Sequence, residues 1–262
     1  MDLRVVGCHG GETPRHRTSA FVLDDRLAID AGSLTSGLDL PAQCALEAVL
    51  VSHAHLDHIR DLATIADNRF QRGCEPLIVA GTKPTLAVLR KHFFNGLLWP
   101  DFSKLPTAKR PAIKYLELRP EVPMKVAGYT VRAVLVSHTI ETAAFVVEAP
   151  KGHGGRGGGA IAYSGDTGPT ERLWKVLNGT PNLRAMLMEV SFPNDQQRLA
   201  TVSGHHTPAT LRAELKKLEI HKDFPFLLYH IKPAFQAKVE RELARIRGLS
   251  LTVLNLGDQF IL

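Results

Sequence analysis

Apolar positions in this chain fall into short runs divided by polar turns, and the period of the runs changes along the sequence. Near the N-terminus, LRVVG (3–7), SAFVLDD (19–25) and RLAIDAG (26–32) are short apolar runs bounded by polar or glycine positions, which predicts strands. FVLDDRLAID reads as a hairpin turning at Asp24 and Asp25. A helix over about 41–47 leads to the strand AVLVS (48–52). Beyond it Ile59, Leu62, Ile65 and Phe70 follow helical spacing, predicting a helix through HIRDLATIADNRF (58–70). PLIVAG (76–81) predicts a strand, and KPTLAVLRKHFFN (83–95) a helix with Pro84 in its first turn.

The second half repeats the alternation less regularly. YTVRAVLVSH (129–138) and AAFVVEAP (143–150) predict neighbouring strands, KGHGGRGGGA (151–160) a glycine-rich hairpin tip, and AIAYSGD (160–166) the strand after it. A helix near 169–178 precedes the strand LRAMLMEVS (183–191). TPATLRAELKKL (207–218) predicts an amphipathic helix with Leu211, Leu215 and Leu218 on one face. The strand FPFLLYHI (224–231), the helix KPAFQAKVERELARIR (232–247) and a closing strand pair within LSLTVLNLGDQFIL (249–262) complete the chain. Strands outnumber helices and come in blocks. The expected fold is therefore one α/β domain over 1–262, two sheets face to face with helices outside: a four-layer αββα sandwich.

Composition changes this picture little. Apolar content of 44% and charged content of 22% are ordinary for a globular protein. No run of about 18 uncharged apolar residues exists to span a membrane. MDLRVVGCHGG has no long apolar stretch of the signal-peptide kind, so a cytoplasmic protein is expected. Cys8, Cys44 and Cys74 are far apart, and no CxxC spacing occurs. Three reduced thiols are expected, with neither a disulfide scaffold nor a cysteine metal site. The net charge of +6 favours anionic partners such as a phosphate ester or RNA. GHGGRG (152–157) matches G-x-G-x-x-G, but a dinucleotide loop must open a helix, and here a strand follows.

The chemistry concentrates in SHAHLDHI (52–59). Imidazole and carboxylate are ligands for divalent Zn, Mn and Fe. In an extended stretch His53 and His55 point the same way and can grip one ion. If the chain turns helical just after, Asp57 and His58 face elsewhere and can hold a second. His138, Asp166 and His230 each follow an apolar strand, where loops build sites, and would complete the set.

HAHLDH resembles the HxHxDH signature of metallo-β-lactamase-fold hydrolases, and the resemblance runs from IDAGS (29–33) to YHIKP (229–233). It implies that His53, His55 and His138 bind one metal, that Asp57, His58 and His230 bind the other, and that Asp166 bridges them. Asp30 would hold the turn and a ligand in place. Within the superfamily the chain is similar to class II 3′,5′-cyclic-nucleotide phosphodiesterases. HAHLDHIRDLA, HFFNGLLWPDFS (92–103), EVSFPND (189–195), SGHHTP (203–208) and YHIKP carry that likeness. Asp61 departs from it, standing where Gly or Ser is usual.

The likeness implies two divalent ions, most readily Zn²⁺ with Mn²⁺ or Fe²⁺ as alternatives, and a hydroxide bridging them as nucleophile. It implies cAMP, and by extension cGMP, as substrate, the 5′-nucleotide as product, and a homodimer. His205 in SGHHTP is the candidate proton donor to the leaving oxygen or phosphate clamp, with His206 beside it as the alternative. Glu189 would orient His205, so Asp57, His205 and Glu189 are the catalytic candidates. Phe93, Phe94 and Trp99 are candidates for stacking on a base, with a packed core as the competing role for the phenylalanines. The alternative function is a nuclease similar to RNase Z-type tRNA 3′-endonucleases, with RNA as partner. The stretch between His138 and Asp166 shows no long basic arm to hold it. A metal-dependent nucleotide sensor and a lactamase- or glyoxalase-like thioester hydrolase fit the ligand set and its Asp166 less well.

Overall fold

The computed structural model describes residues 1–150, 158–219 and 224–262. Its strands are β1 (Asp2–Gly7), β2 (Ala20–Leu23), β3 (Leu27–Ile29), β4 (Ala48–Leu50), β5 (Leu77–Gly81), β6 (Pro106–Thr107), β7 (Arg110–Pro111) and β8 (Ile113–Glu117). They continue as β9 (Met124–Val126), β10 (Tyr129–Val136), β11 (Thr142–Glu148), β12 (Ala160–Tyr163), β13 (Leu183–Glu189), β14 (Pro225–Tyr229), β15 (Ser250–Val253) and β16 (Gln259–Ile261). One seven-stranded sheet has the order β16-β1-β2-β3-β4-β5-β8, the other β15-β14-β13-β12-β11-β10-β9, and β6 and β7 form a small ribbon. In the first sheet β16, β1, β2 and β3 pair antiparallel, whereas β3, β4, β5 and β8 run parallel. The second sheet is antiparallel from β9 to β12 and parallel from β12 to β15.

Alternating side chains decide the layers. Leu3, Val5, Phe21, Leu23 and Ile29 of the first sheet meet Tyr129, Phe145, Tyr163, Leu187 and Tyr229 of the second in one buried core. The opposite faces pack under helices. Val22, Val49 and Val79 lie against α3 (Leu62–Gln71) and α4 (Lys83–Val88), with α1 (Leu40–Ala45) beside them. Val146, Met186 and Leu228 lie against α5 (Arg172–Asn178), α7 (Pro208–Leu215) and α8 (Gln236–Leu243). Three apolar layers between four structural layers make the αββα sandwich that the strand pattern predicted. Among the described residues no helix is long and apolar enough to cross a membrane.

Several local expectations change. The helix expected over 58–70 is broken into α2 (Leu56–Ile59) and α3. The β3 exit docks into the break: Ala31 N–H donates to His58 O, and Asp61 N–H donates to Ala31 O. Asp61, the departure from the family pattern, accepts from the Thr35 N–H and hydroxyl at 2.8 and 2.6 Å, which ties this break to the 34–36 turn. The helix over 83–95 ends as α4, and Leu89–Phe93 follow as a π turn. The helix over 232–247 is reduced to α8 after a 3₁₀ turn at Pro233–Phe235. An unpredicted α6 (Gln197–Ser203) ends at Gly204, which takes a left-handed φ of 68°. The two closing strands do not pair with each other, because β15 extends the parallel run beside β14 and β16 lies beside β1. The glycine-rich tip lies largely outside the described residues, but β11 and β12 on either side pair antiparallel as expected.

The expectation of three reduced thiols is corrected. Cys44 and Cys74 form a disulfide with their Cα atoms 5.6 Å apart, and Cys8 is the free, buried thiol. Packing of α1 on α3 brings the pair together. The Arg69 guanidinium fixes the same junction by donating to Gln43 O and Glu75 O, the carbonyls flanking each cysteine. The loop so closed contains the whole of SHAHLDHI.

Candidate metal centre

The parallel strands β3, β4, β12, β13 and β14 all end at one rim of the sandwich. β10 ends there too, since two antiparallel steps through β11 make it parallel to β12. This is where open α/β sheets place ligands. Asp30 follows β3, SHAHLDHI follows β4, His138 follows β10, Asp166 follows β12, Glu189 ends β13 and His230 follows β14. All the residues singled out from the sequence as ligands arrive at this rim.

Their donor atoms converge. His53 Nε2 lies 3.0 Å from His55 Nδ1, which lies 3.2 Å from His138 Nε2. His230 Nε2 lies 3.4 Å from His58 Nε2 and 3.4 Å from Asp57 Oδ2. These form one trio of His53, His55 and His138 and another of Asp57, His58 and His230, each with its donor atoms within 4.8 Å of one another. Asp166 reaches both: its Oδ2 is 3.8 Å from His53 Nε2, 3.3 Å from His58 Nε2 and 3.2 Å from His230 Nε2. Its Oδ1 is buried with no hydrogen-bond partner. A buried carboxylate oxygen without a donor is costly unless a cation meets it. The chemistry and spacing of these donors fit a dimetal site.

Electrostatics favours the ligand forms. Burial, with neighbouring imidazoles, holds His53, His55, His138 and His230 below the ordinary histidine range, keeping them neutral at pH 7. Burial opposes ionisation of Asp57, but the hydrogen bond from His230 and the proximity of His58 outweigh it and hold the carboxyl well below its usual range. Asp166 behaves likewise, with burial overcome by His230 and His58. His58 is the exception. Burial is outweighed by Asp166 and Asp30, which raise its pKa well above normal.

A second set of contacts aims these rings. His58 Nδ1 donates to Asp30 Oδ2 at 2.7 Å, leaving Nε2 to face the trio. The same carboxylate accepts from Ser52 N–H and Ser52 Oγ, each at 2.8 Å, and from the Tyr163 hydroxyl at 2.6 Å. Asp30 takes a left-handed φ of 56°, an uncommon conformation tolerated here for its bonds. Gly32 is required by close approach, since a Cβ there would sit 2.1 Å from Asp57 O.

His205 lies beside both trios, its ring 5.0 Å from that of His138 and 5.2 Å from that of His230. It also falls within ligand spacing of His138 and Asp166, and of Glu189 and His230. Glu189 Oε1 accepts from His205 Nδ1 at 3.2 Å, from His206 N–H at 3.1 Å and from Thr167 N–H at 3.3 Å; Oε2 accepts from Ser191 Oγ at 3.0 Å. Burial raises Glu189 to about 7 and lowers His205, so the pair favours one shared proton over two charges. His206 faces away, toward Thr210. The aromatic candidates are not drawn into the centre. Phe93 and Phe94 are buried in the core under the first sheet, and Trp99, partly exposed, donates its Nε1–H to Ala63 O at 3.1 Å. Sequence reasoning missed Ser52, Tyr163 and Ser191, whose hydroxyls look ordinary without their partners.

Sheets packed face to face under outer helices, with a histidine and aspartate cluster at the strand ends, define a hydrolase of the metallo-β-lactamase fold. The chain belongs to the beta-lactamase superfamily, whose domain profile matches residues 31–231. Over its whole length it is 26% identical to a "Probable 3′,5′-cyclic-nucleotide phosphodiesterase" of Yersinia pestis, covering 87% of that relative. It is 29% identical, again over the whole chain, to a 3′,5′-cyclic-nucleotide phosphodiesterase of Aliivibrio fischeri, covering 90% of it. The crystal structure of unliganded yeast PDE1 aligns over 100% of this chain and 99% of its own with a TM-score of 0.81. At 19% identity that is a likeness of fold.

Proposed function

We propose that this protein is a metal-dependent phosphodiesterase that hydrolyses 3′,5′-cyclic nucleotides, cAMP foremost, to 5′-nucleotides. The observation that carries the reading is the meeting of two donor trios on the single buried carboxylate of Asp166, with His205 beside them. The names and full-length coverage of the relatives support the substrate class.

In this reading His53, His55 and His138 would hold one ion and Asp57, His58 and His230 the other, with Asp166 within reach of both trios. Divalent ions held there, such as Zn²⁺, would supply an acidified water and offset charge on the phosphate oxygens. The chain supplies the rest. Asp30 keeps the His58 ring in one orientation. Burial of the surrounding side chains excludes bulk water and strengthens each charge interaction. His205, held through Nδ1 by Glu189, would give its Nε2 proton to the departing 3′-oxygen while the proton held by the Glu189 carboxyl passes to Nδ1, so the imidazole stays neutral and the carboxylate takes the charge.

The test is product analysis by ion-pair chromatography. Zn²⁺- or Mn²⁺-loaded protein is given cAMP and a tRNA precursor separately, with Asp57→Ala protein as the blank. Formation of 5′-AMP that Asp57→Ala abolishes is the expected result. Intact cAMP beside a trimmed tRNA 3′ end would replace this reading with the nuclease.

A further inference from the structure

Beside the centre lies a groove of about 740 Å³ whose walls are Pro14, Arg15 and His16 on one side and Pro233 and Ala234 on the other. The size suits a small organic group. β1 runs parallel to β3 through the antiparallel β2, so the loop after β1 emerges at the same rim as the metal centre. The other wall begins three residues after His230.

Both walls are pinned to the centre. His230 N–H donates to Cys8 O at 2.7 Å, and Gly10 N–H donates to Ile231 O at 3.0 Å. Gly10 lies so close that a Cβ would sit 2.4 Å from His230 O and 3.0 Å from Lys232 Cδ. At its far side the loop is tied by the Glu12–Arg60 ion pair to the end of α2, which carries Asp57 and His58. The wall is also preformed. Thr13 and His16 exchange backbone hydrogen bonds at 3.1 Å, and the His16 ring packs edge-on against His9 at 4.7 Å.

We propose that this groove is the nucleobase subsite. The phosphodiester lies at the Asp57–His58–His230 trio, and the base slides between Pro14, His16 and Pro233. The inference rests on the phosphodiesterase reading and adds where the organic part of the substrate is held. The flat imidazole face of His16 and the apolar proline rings suit a flat heterocycle. Arg15, a cation in the same wall, suits an anionic nucleotide.

The test compares cAMP with ribose 3′,5′-cyclic phosphate, which has the same diester and sugar but no base. Metal-loaded wild type is expected to prefer cAMP in kcat/KM. Ala234 is exposed, so Ala234→Trp fills the groove without entering the core. Its ratio of kcat/KM for cAMP over the abasic compound is expected to fall about tenfold, mostly through KM for cAMP. His16→Ala, which removes one wall, should lower the ratio in the same direction. A wild type that turns over both compounds equally well, or a ratio that neither variant changes, would overturn the subsite and leave the phosphodiesterase intact. A wild type that cleaves neither compound ends both proposals together.

Discussion

Asp30 follows β3 and Glu189 ends β13, in opposite sheets, and each is a buried carboxylate that accepts four hydrogen bonds. They are built differently. The bonds to Asp30 span 2.6–2.8 Å, and one comes from Tyr163 across the interface between the sheets. Those to Glu189 span 3.0–3.3 Å and come from residues of its own half of the sandwich. Asp30 orients His58, a member of a donor trio, whereas Glu189 orients His205, which stands beside the proposed ligand set. The tight cage suits fixing a ligand, and the looser one suits a group that must exchange a proton.

The comparison can be broken in order of effect. Asp30→Ala strands the Ser52, Tyr163 and His58 donors in the core and should cost about 3 kcal/mol or more, together with most of the bound metal. Denaturant melts and metal analysis check this; full metal content would deny Asp30 its orienting role. Cys44→Ser with Cys74→Ser opens the ring around the His53–His58 turn and should cost about 3 kcal/mol by loop entropy, while the Asp30 bonds still hold His58. Chemical denaturation of oxidised and double-mutant protein measures it. Glu189→Gln should leave metal content near wild type and lower kcat about a hundredfold, and His205→Ala should do the same or more. Equal loss of metal in either variant would erase the distinction between the two cages.

The smallest effect is a pH slope. Burial lifts Glu189 from the ordinary 4.5 to about 7, so the folded chain keeps a proton that the unfolded chain has released in that window. Its contribution to stability is complete below pH 4.5 and is lost as pH rises to about 7. Thermal melts of wild type and Glu189→Gln, both chelator-treated, should therefore diverge from one another over that range. A constant difference would show that Glu189 ionises normally.

The sequence was most informative where neighbours in the chain are neighbours in space. His53, His55, Asp57 and His58 sit in one turn, and their grouping needed no knowledge of topology. His138, Asp166 and His230 could be placed only as strand ends, and their convergence depends on sheet order. The disulfide had no local signal, since only packing of α1 on α3 unites Cys44 and Cys74. β8 and β9 escaped notice because they are edge strands, half-exposed and carrying charges such as Lys114, Glu117 and Lys125, which blur the apolar alternation. The loop over 9–16 gave no warning either. Its importance comes from β1 ending beside His230, a relation set by tertiary structure alone.

The C-terminal residues carry a different consequence. β15 belongs to one sheet and β16 to the other, and a short turn at Asn255–Asp258 carries the chain across the sandwich between them. That crossing acts as a clasp at one edge. Neither sheet can separate without releasing strands from the other, so the two halves should open as one cooperative unit. Slowly exchanging amides of β1 and of β14 should then report the same opening free energy, although they lie in different sheets.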